Sequence, residues 1–227
     1  MRPEDIAWRI EHSLLSAAAT ADDVRELCSE AREHGFYSVC INPSRVRLAN
    51  ALLEGSGVRV TTVVGFPLGA STTSIKAREA MDAMYQRADE VDMVMDIGAA
   101  LEGDWGRVEK DIWDVLMALK GPSGGPVLKV IIECCYLSRE QKIRAIEAVA
   151  GAGADFVKTS TGFGPSGASA EDVALMKEVL GGRARIKAAG GIKTLKDMKE
   201  MVEAGADLIG TSSGVSIMNT ALGSKAS

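Results

Sequence analysis

The apolar positions of this chain fall in short blocks, and the blocks alternate with longer amphipathic stretches from one end to the other. The blocks are Glu11–Leu15, Tyr37–Ile41, Arg59–Val64, Glu90–Ile97, Val127–Glu133, Asp155–Thr159, Arg185–Ala189 and Asp207–Gly210. Val, Ile and Met fill most of them, the near-continuous apolarity that a parallel strand buried on both faces requires. Helical periodicity occupies the intervals at Ala21–His34, Ser44–Glu54, Ser71–Arg87, Trp105–Lys120, Ser138–Ala150, Ser169–Leu180 and Thr194–Ala204. Two of these helices open on an N-cap signature, Ser138 with Gln141 and Ser169 with Asp172.

Eight strands, seven helices and a short last helix predict a single-domain α/β fold. It is a closed (β/α)8 barrel, the TIM-barrel architecture, over residues 1–227 with a short N-terminal helix. The tetrapeptide Ala-Gly-Ala-Asp occurs at Ala152–Asp155 and again at Ala204–Asp207, about two βα units later. In both copies a helix ends at a glycine and an acidic residue opens the next strand. An open doubly wound sheet is the competing topology, and it lacks a first-strand GxGxxG. The stretch Gly121–Pro126 reads as a mobile αβ loop on the face opposite the active site.

Composition narrows the function. Only 4% of the residues are aromatic, which argues against a module built on base or ring stacking. The net charge of −5 gives no reason to expect nucleic acid or an anionic membrane as a partner, so any phosphate must be held locally. Cys28, Cys40, Cys134 and Cys135 form no CxxC pair, and His12 and His34 are the only histidines, too few ligands for a metal centre. No metal and no cofactor is expected, and the cysteines read as reduced thiols of a cytoplasmic protein. Cys134 and Cys135 are expected on opposite faces of a strand. Met1–Glu11 lacks an apolar targeting core, and no apolar run approaches a membrane span. A homo-oligomer, dimer or tetramer, is the expectation for this architecture; the ten methionines read mainly as core filling.

The chemistry lies in charged residues embedded in apolar strands. Strand four carries Asp92, Val94 and Asp96 on one face, and strand five Lys129, Ile131 and Glu133. Strand six presents Lys158 and strand seven Lys187. A lone strand lysine is ordinarily a snorkelling or edge residue. Three in central strands are different, because a buried ammonium is costly unless paired. Neighbouring ammonium groups also favour loss of one proton, which frees an amine to attack a carbonyl. A second constellation is an anion site, with Gly190-Gly191 after strand seven and Gly210-Thr-Ser-Ser-Gly214 after strand eight. Gly162 is a further candidate there, although each glycine alone also fits a simple turn. Lys193 reads either as an added positive charge or as an exposed helix-start lysine.

Several blocks in order then resemble the deoxyribose-phosphate aldolases over nearly the whole chain. They are Ile10–Leu15, Val39-Cys-Ile-Asn-Pro43, Val64-Gly-Phe-Pro-Leu-Gly69, Glu90–Val94, Leu128–Glu133, Phe156–Gly164, Lys187–Ile192 and Gly210–Val215. The resemblance implies Lys158 as the Schiff-base lysine, Lys187 as its pKa-lowering neighbour and Asp92 as a water-assisted proton shuttle. It implies Lys129 as an additional active-site lysine in contact with substrate, and a substrate phosphate on Gly162, Gly190, Gly191, Ser212 and Ser213. The implied reaction is reversible cleavage of 2-deoxy-D-ribose 5-phosphate, a small sugar phosphate, to D-glyceraldehyde 3-phosphate and acetaldehyde. Competing functions are the same lysine chemistry on another sugar phosphate, an isomerase or lyase without an imine, and a passive phosphosugar binder. Departures from the family pattern are Glu11 for Asp, Ser13 for Thr, Asp96 for Asn and Lys193 for Arg. The stretch Leu222–Ser227 also lacks the terminal tyrosine of some members. A carboxylate at Asp96, if it enters the pocket, would alter the field around Lys158.

Overall fold

The computed structural model describes residues 1–121 and 124–223. Eight strands pair in chain order, all parallel, and the eighth closes on the first. They are β1 (Ile10–Leu14), β2 (Ser38–Ile41), β3 (Arg59–Val64), β4 (Glu90–Val94), β5 (Val127–Ile131), β6 (Phe156–Lys158), β7 (Arg185–Ala189) and β8 (Leu208–Thr211). Helix α1 (Pro3–Ala7) precedes the barrel, and α2 (Ala21–His34), α3 (Val46–Leu53) and α4 (Thr73–Tyr85) follow the first three strands. Then come α5 (Ile97–Glu102) and α6 (Trp105–Leu119), both after β4, α7 (Arg139–Gly151), α8 (Ala170–Leu180), α9 (Leu195–Ala204) and α10 (Gly214–Ala221). The closed single-domain barrel matches the sequence expectation. Among the described residues no helix is long and apolar enough to cross a membrane.

Local chemistry explains the boundaries. The Ser138 hydroxyl accepts from the N–H of Gln141 while the Gln141 side chain returns to the Ser138 N–H, a complete capping box at α7. Ser169 caps α8 by accepting from the Asp172 N–H at 3.1 Å. The repeated Ala-Gly-Ala-Asp has a cause as well. The carboxylates of Asp155 and Asp207, just ahead of β6 and β8, accept the N–H of Leu128 at 2.9 Å and of Ile186 at 2.8 Å. Asp89, ahead of β4, does the same for Val60 at 2.8 Å. Each aspartate thus satisfies a backbone donor near the start of the preceding strand, which otherwise lies at the barrel rim without a partner.

Strands four and five stop sooner than their side-chain pattern suggests. β4 ends at Val94, and Asp96 becomes the N-cap of α5, its Oδ1 accepting from the Ala99 N–H at 3.0 Å. β5 ends at Ile131, Glu133 turns into the left-handed region (φ 50°), and Cys134–Tyr136 forms a 3₁₀ turn. Cys134 and Cys135 therefore do not alternate across a strand; Cys134 is buried and Cys135 half-buried in that turn. All four thiols are free. Within Gly121–Pro126, residues 122 and 123 lie outside the described residues, as do residues 224–227 of the C-terminal stretch. The end of α6 at Leu119 and the start of β5 at Val127 lie at the N-terminal mouth.

Candidate active site

Six ionisable side chains point into the barrel from five strands and meet in direct contact. Asp92 on β4 is the hub. Its Oδ2 accepts from Lys158 Nζ at 2.6 Å and from Lys187 Nζ at 2.5 Å, and its Oδ1 accepts from Lys129 Nζ at 3.0 Å. The strand register makes this possible. Asp92 pairs with Lys129 across β4–β5, and Lys158 with Lys187 across β6–β7, while Lys158 stands opposite Ile131, two residues above Lys129. By register Lys129 stands level with Asp92 and the other two lysines two residues higher, while the Lys129 ammonium reaches down to Glu90.

Two further carboxylates complete the cluster, and neither was assigned a role from the sequence. Glu11 on β1 lies between Lys129, at 3.1 Å from its Oε2, and Lys187, which contacts its Oε1. Ser38 and Thr61 each donate to Glu11 Oε2 at 3.0 Å. Glu90, one turn of the pleat below Asp92, takes Lys129 Nζ at 2.5 Å. Three carboxylates thus face three amines, a cluster that is formally neutral when every amine is protonated and that is buried throughout. Glu11, Cys40 and Asp92 also bring ligand-type atoms within 4.8 Å of one another, but both carboxylates are already bonded to cationic amines.

Burial and charge pull these groups in opposite directions. Burial alone pushes the Asp92 carboxyl up, but Lys129 and Lys158 overcome it and hold it below the usual carboxylate range. Burial works against the Lys129 charge as well, yet Asp92 and Glu90 prevail and hold that ammonium up at about 12. Lys187, fully buried, is pushed well below the ordinary lysine range by its desolvation. Lys129 is thus held as a cation on the floor, and burial disfavours the charge on Lys187 beside Lys158.

Above the cluster a cavity of about 520 Å³ opens at the C-terminal mouth. Its walls include Ser13–Ala17, Thr161–Phe163, Ala189–Lys193 and Gly210–Ser212, and Lys158 is the one lysine of the cluster that lines it. Gly162, Gly190, Gly191 and Ser212, expected for the phosphate, all line this cavity, as does Lys193. The start of α10 lies beside it, its backbone donors favouring an anion. The glycines are fitted closely. Gly190 has φ 89°, and any Cβ on Gly167 would fall 2.2 Å from the Gly190 carbonyl oxygen, so the loops after β6 and β7 touch backbone to backbone. A larger hollow at the opposite mouth, about 760 Å³, is lined by none of the three lysines.

Four expected positions fall elsewhere. Lys129, expected to contact substrate, is fully buried beneath Asp92 and does not line the cavity, so it braces the floor. Ser213 does not line the cavity either, and its N–H is spent on Thr211 Oγ1 at 2.9 Å. Asp96 leaves the strand face of Asp92 because the strand has ended; it pairs with Arg107 at 2.6 Å instead of entering the pocket. Glu133, likewise past its strand, accepts from the N–H and hydroxyl of Thr161 and steadies the loop that carries Gly162.

A closed parallel barrel whose C-terminal mouth holds an amine, backed by carboxylates and opening on an anion-friendly cavity, is the architecture of an enzyme acting on carbonyl compounds, an aldolase. The chain belongs to the DeoC/LacD family of aldolases, whose model matches residues 8–220. It is 55% identical to a deoxyribose-phosphate aldolase of Deinococcus radiodurans over 214 residues, 94% of this chain and 96% of the relative. To a deoxyribose-phosphate aldolase of Carboxydothermus hydrogenoformans it is 54% identical over 213 residues, 94% of this chain and 93% of the relative. Among solved structures, the tetrameric deoxyribose phosphate aldolase of Aeropyrum pernix superimposes with a TM-score of 0.88 at 34% identity, covering 96% of this chain and 91% of that one.

Proposed function

We propose that this chain reversibly cleaves 2-deoxy-D-ribose 5-phosphate to D-glyceraldehyde 3-phosphate and acetaldehyde, with Lys158 as the Schiff-base nucleophile. One observation carries the assignment of the nucleophile: among the described residues Lys158 alone of the buried lysines reaches the cavity, and it shares a carboxylate oxygen with a second amine. Neutral Lys158 adds to the C1 aldehyde of the open-chain sugar, and the carbinolamine loses water to give a protonated imine. Removal of the C3 hydroxyl proton breaks the C2–C3 bond. The electron pair enters the C1–C2 enamine, and C3 leaves as the aldehyde of glyceraldehyde 3-phosphate. Protonation of the enamine at C2 and addition of water then release acetaldehyde and restore the amine.

Asp92 and Lys187 serve as the proton relay in this scheme. Asp92 Oδ2 touches both amines, so a proton passes between Lys158 and Lys187 over one oxygen atom. Gly162, Gly190, Gly191 and Ser212 hold the 5-phosphate, with Lys193 at the rim, which leaves C1 facing inward toward Lys158. Borohydride reduction in the presence of deoxyribose 5-phosphate or acetaldehyde adds the mass of a reduced adduct to the peptide containing Lys158. An adduct on any other lysine, or none, would refute the assignment. The free thiols and the tetramer of the Aeropyrum pernix relative support a cytoplasmic homo-oligomer; a sedimentation mass equal to one chain would refute that assembly.

A further inference from the structure

The charged cluster does not stop at its floor. Below Lys129, Glu90 turns its second oxygen, Oε1, toward the far end of the barrel, where the Tyr37 hydroxyl donates to it at 2.5 Å. Tyr37 lies just ahead of β2 and lines the hollow at the N-terminal mouth. Arg59 approaches the same Glu90 oxygen at 3.9 Å, with its guanidinium 4.4 Å from the Tyr37 ring centroid and 5.7 Å from that of Trp8. An unbroken series of contacts therefore runs from the catalytic mouth to the opposite one: Lys158 to Asp92, to Lys129, to Glu90, to Tyr37.

We propose that Glu90 and Tyr37 are positioning residues of the aldol reaction: through Lys129 they set, from the far mouth, how readily the Lys158–Asp92–Lys187 centre gives up a proton. The inference rests on the aldolase reading of that centre. Charge count is the first support. With every lysine protonated, Lys129, Lys158 and Lys187 are balanced by Glu11, Asp92 and Glu90; without Glu90 the excess positive charge favours loss of one of those protons. Buried away from bulk solvent, such charges act on one another strongly over several ångströms.

The remaining neighbours do not substitute for it. From β1 the cluster is faced by Glu11, already shared by two lysines. Cys40 on β2 carries a thiol that burial pushes up to about 12, hence neutral. From β3 come Thr61, 3.5 Å from Glu90 Oε2, and Arg59; among the described residues β8 presents no charged side chain. Burial and the contact with Glu90 push the Tyr37 phenol up to about 12, so its hydroxyl remains a donor over the working range. Phe156 closes the floor beside this column, with Lys129 6.0 Å from the ring centroid on the inner side and Arg185 4.0 Å from it.

The two residues are expected to act with opposite signs. Glu90→Gln removes a negative charge and leaves three ammonium groups with two carboxylates, so the centre sheds a proton at lower pH. Tyr37→Phe keeps the ring under Arg59 but deletes the donor to Glu90, whose carboxylate then holds cluster protons more firmly. In the pH dependence of kcat/KM for deoxyribose 5-phosphate, the acid limb moves down by roughly 0.5–1 unit in Glu90→Gln. It moves up by roughly 0.3 unit in Tyr37→Phe. The same order appears in reductive methylation of Lys158 followed by mass spectrometry across pH, which needs no turnover. A plug that merely stabilises the fold would lower the melting temperature and leave both profiles in place. Unshifted profiles, or shifts of the same sign, overturn the inference. If Glu90→Gln does not fold, Tyr37→Phe decides alone by the sign of its shift. An inactive wild type whose Lys158 still shows these methylation shifts would sink the aldolase reading and leave the coupling standing.

Discussion

Lys158→Met abolishes turnover: cleavage of deoxyribose 5-phosphate falls by roughly 10³- to 10⁵-fold, the loss of roughly 4–7 kcal/mol of barrier lowering. The thioether keeps the length of the side chain but forms no imine, so borohydride leaves no adduct on that peptide. The fold should survive, because Asp92 retains Lys187 at 2.5 Å and Lys129 at 3.0 Å after the third amine is gone. Acetaldehyde release measured at several pH values provides the test. A variant that keeps activity within about tenfold of the parent would mean that another amine does the chemistry.

The second large effect is that of Asp92→Asn. An amide turns at least one N–H₂ toward ammonium groups that Asp92 now satisfies, and leaves three lysines with two carboxylates. Breaking a buried pair in this way costs roughly 3–5 kcal/mol of stability. The relay is lost as well, and kcat/KM is expected to fall by roughly 10²- to 10⁴-fold. The pH dependence of stability follows from the direction of the carboxyl shift. Asp92 is held below its ordinary range in the folded state, so its stabilisation is present above the unfolded value of about 4 and is lost as pH falls through the folded value. In Asp92→Asn that acid-side loss disappears. The variant's deficit therefore shrinks at acid pH, where the parent loses the Asp92 contribution, and shrinks again as pH rises and one buried lysine loses its proton. Thermal melts across pH read both signs; a constant offset between the two proteins would contradict the account.

How much of this was legible beforehand depends on what a periodic pattern encodes. Strands buried on both faces announce themselves, and β3 and β7 have the bounds read from the sequence, Arg59–Val64 and Arg185–Ala189. Period-two alternation also reports which face a residue takes, and so Asp92, Lys129, Lys158 and Lys187 were recognisable as inward charges. It does not report depth along the barrel axis. Whether a lysine stands at the mouth or on the floor is fixed by the stagger between strands, which puts Lys129 opposite Asp92 but Lys158 opposite Ile131. Lys129 was for that reason placed with the substrate contacts, and Glu11 and Glu90 were given no part in the cluster. Asp96 and Glu133 misled for a related reason. Polar spacing continues past a strand end that is set by backbone turns, and the six residues of α5 are too few to show a helical period.

The backbone contact between Gly167 and Gly190 has a consequence for the history of this pocket. A methyl group on Gly167 would be driven into a neighbouring carbonyl, so neither loop can be redecorated without moving the other. Variation in what the barrel accepts is therefore expected along the rim formed by Ser13–Ala17 after β1, which lines the same cavity and contains no glycine. Laboratory evolution for new acceptors should accumulate its changes along that rim and leave the glycine pair untouched.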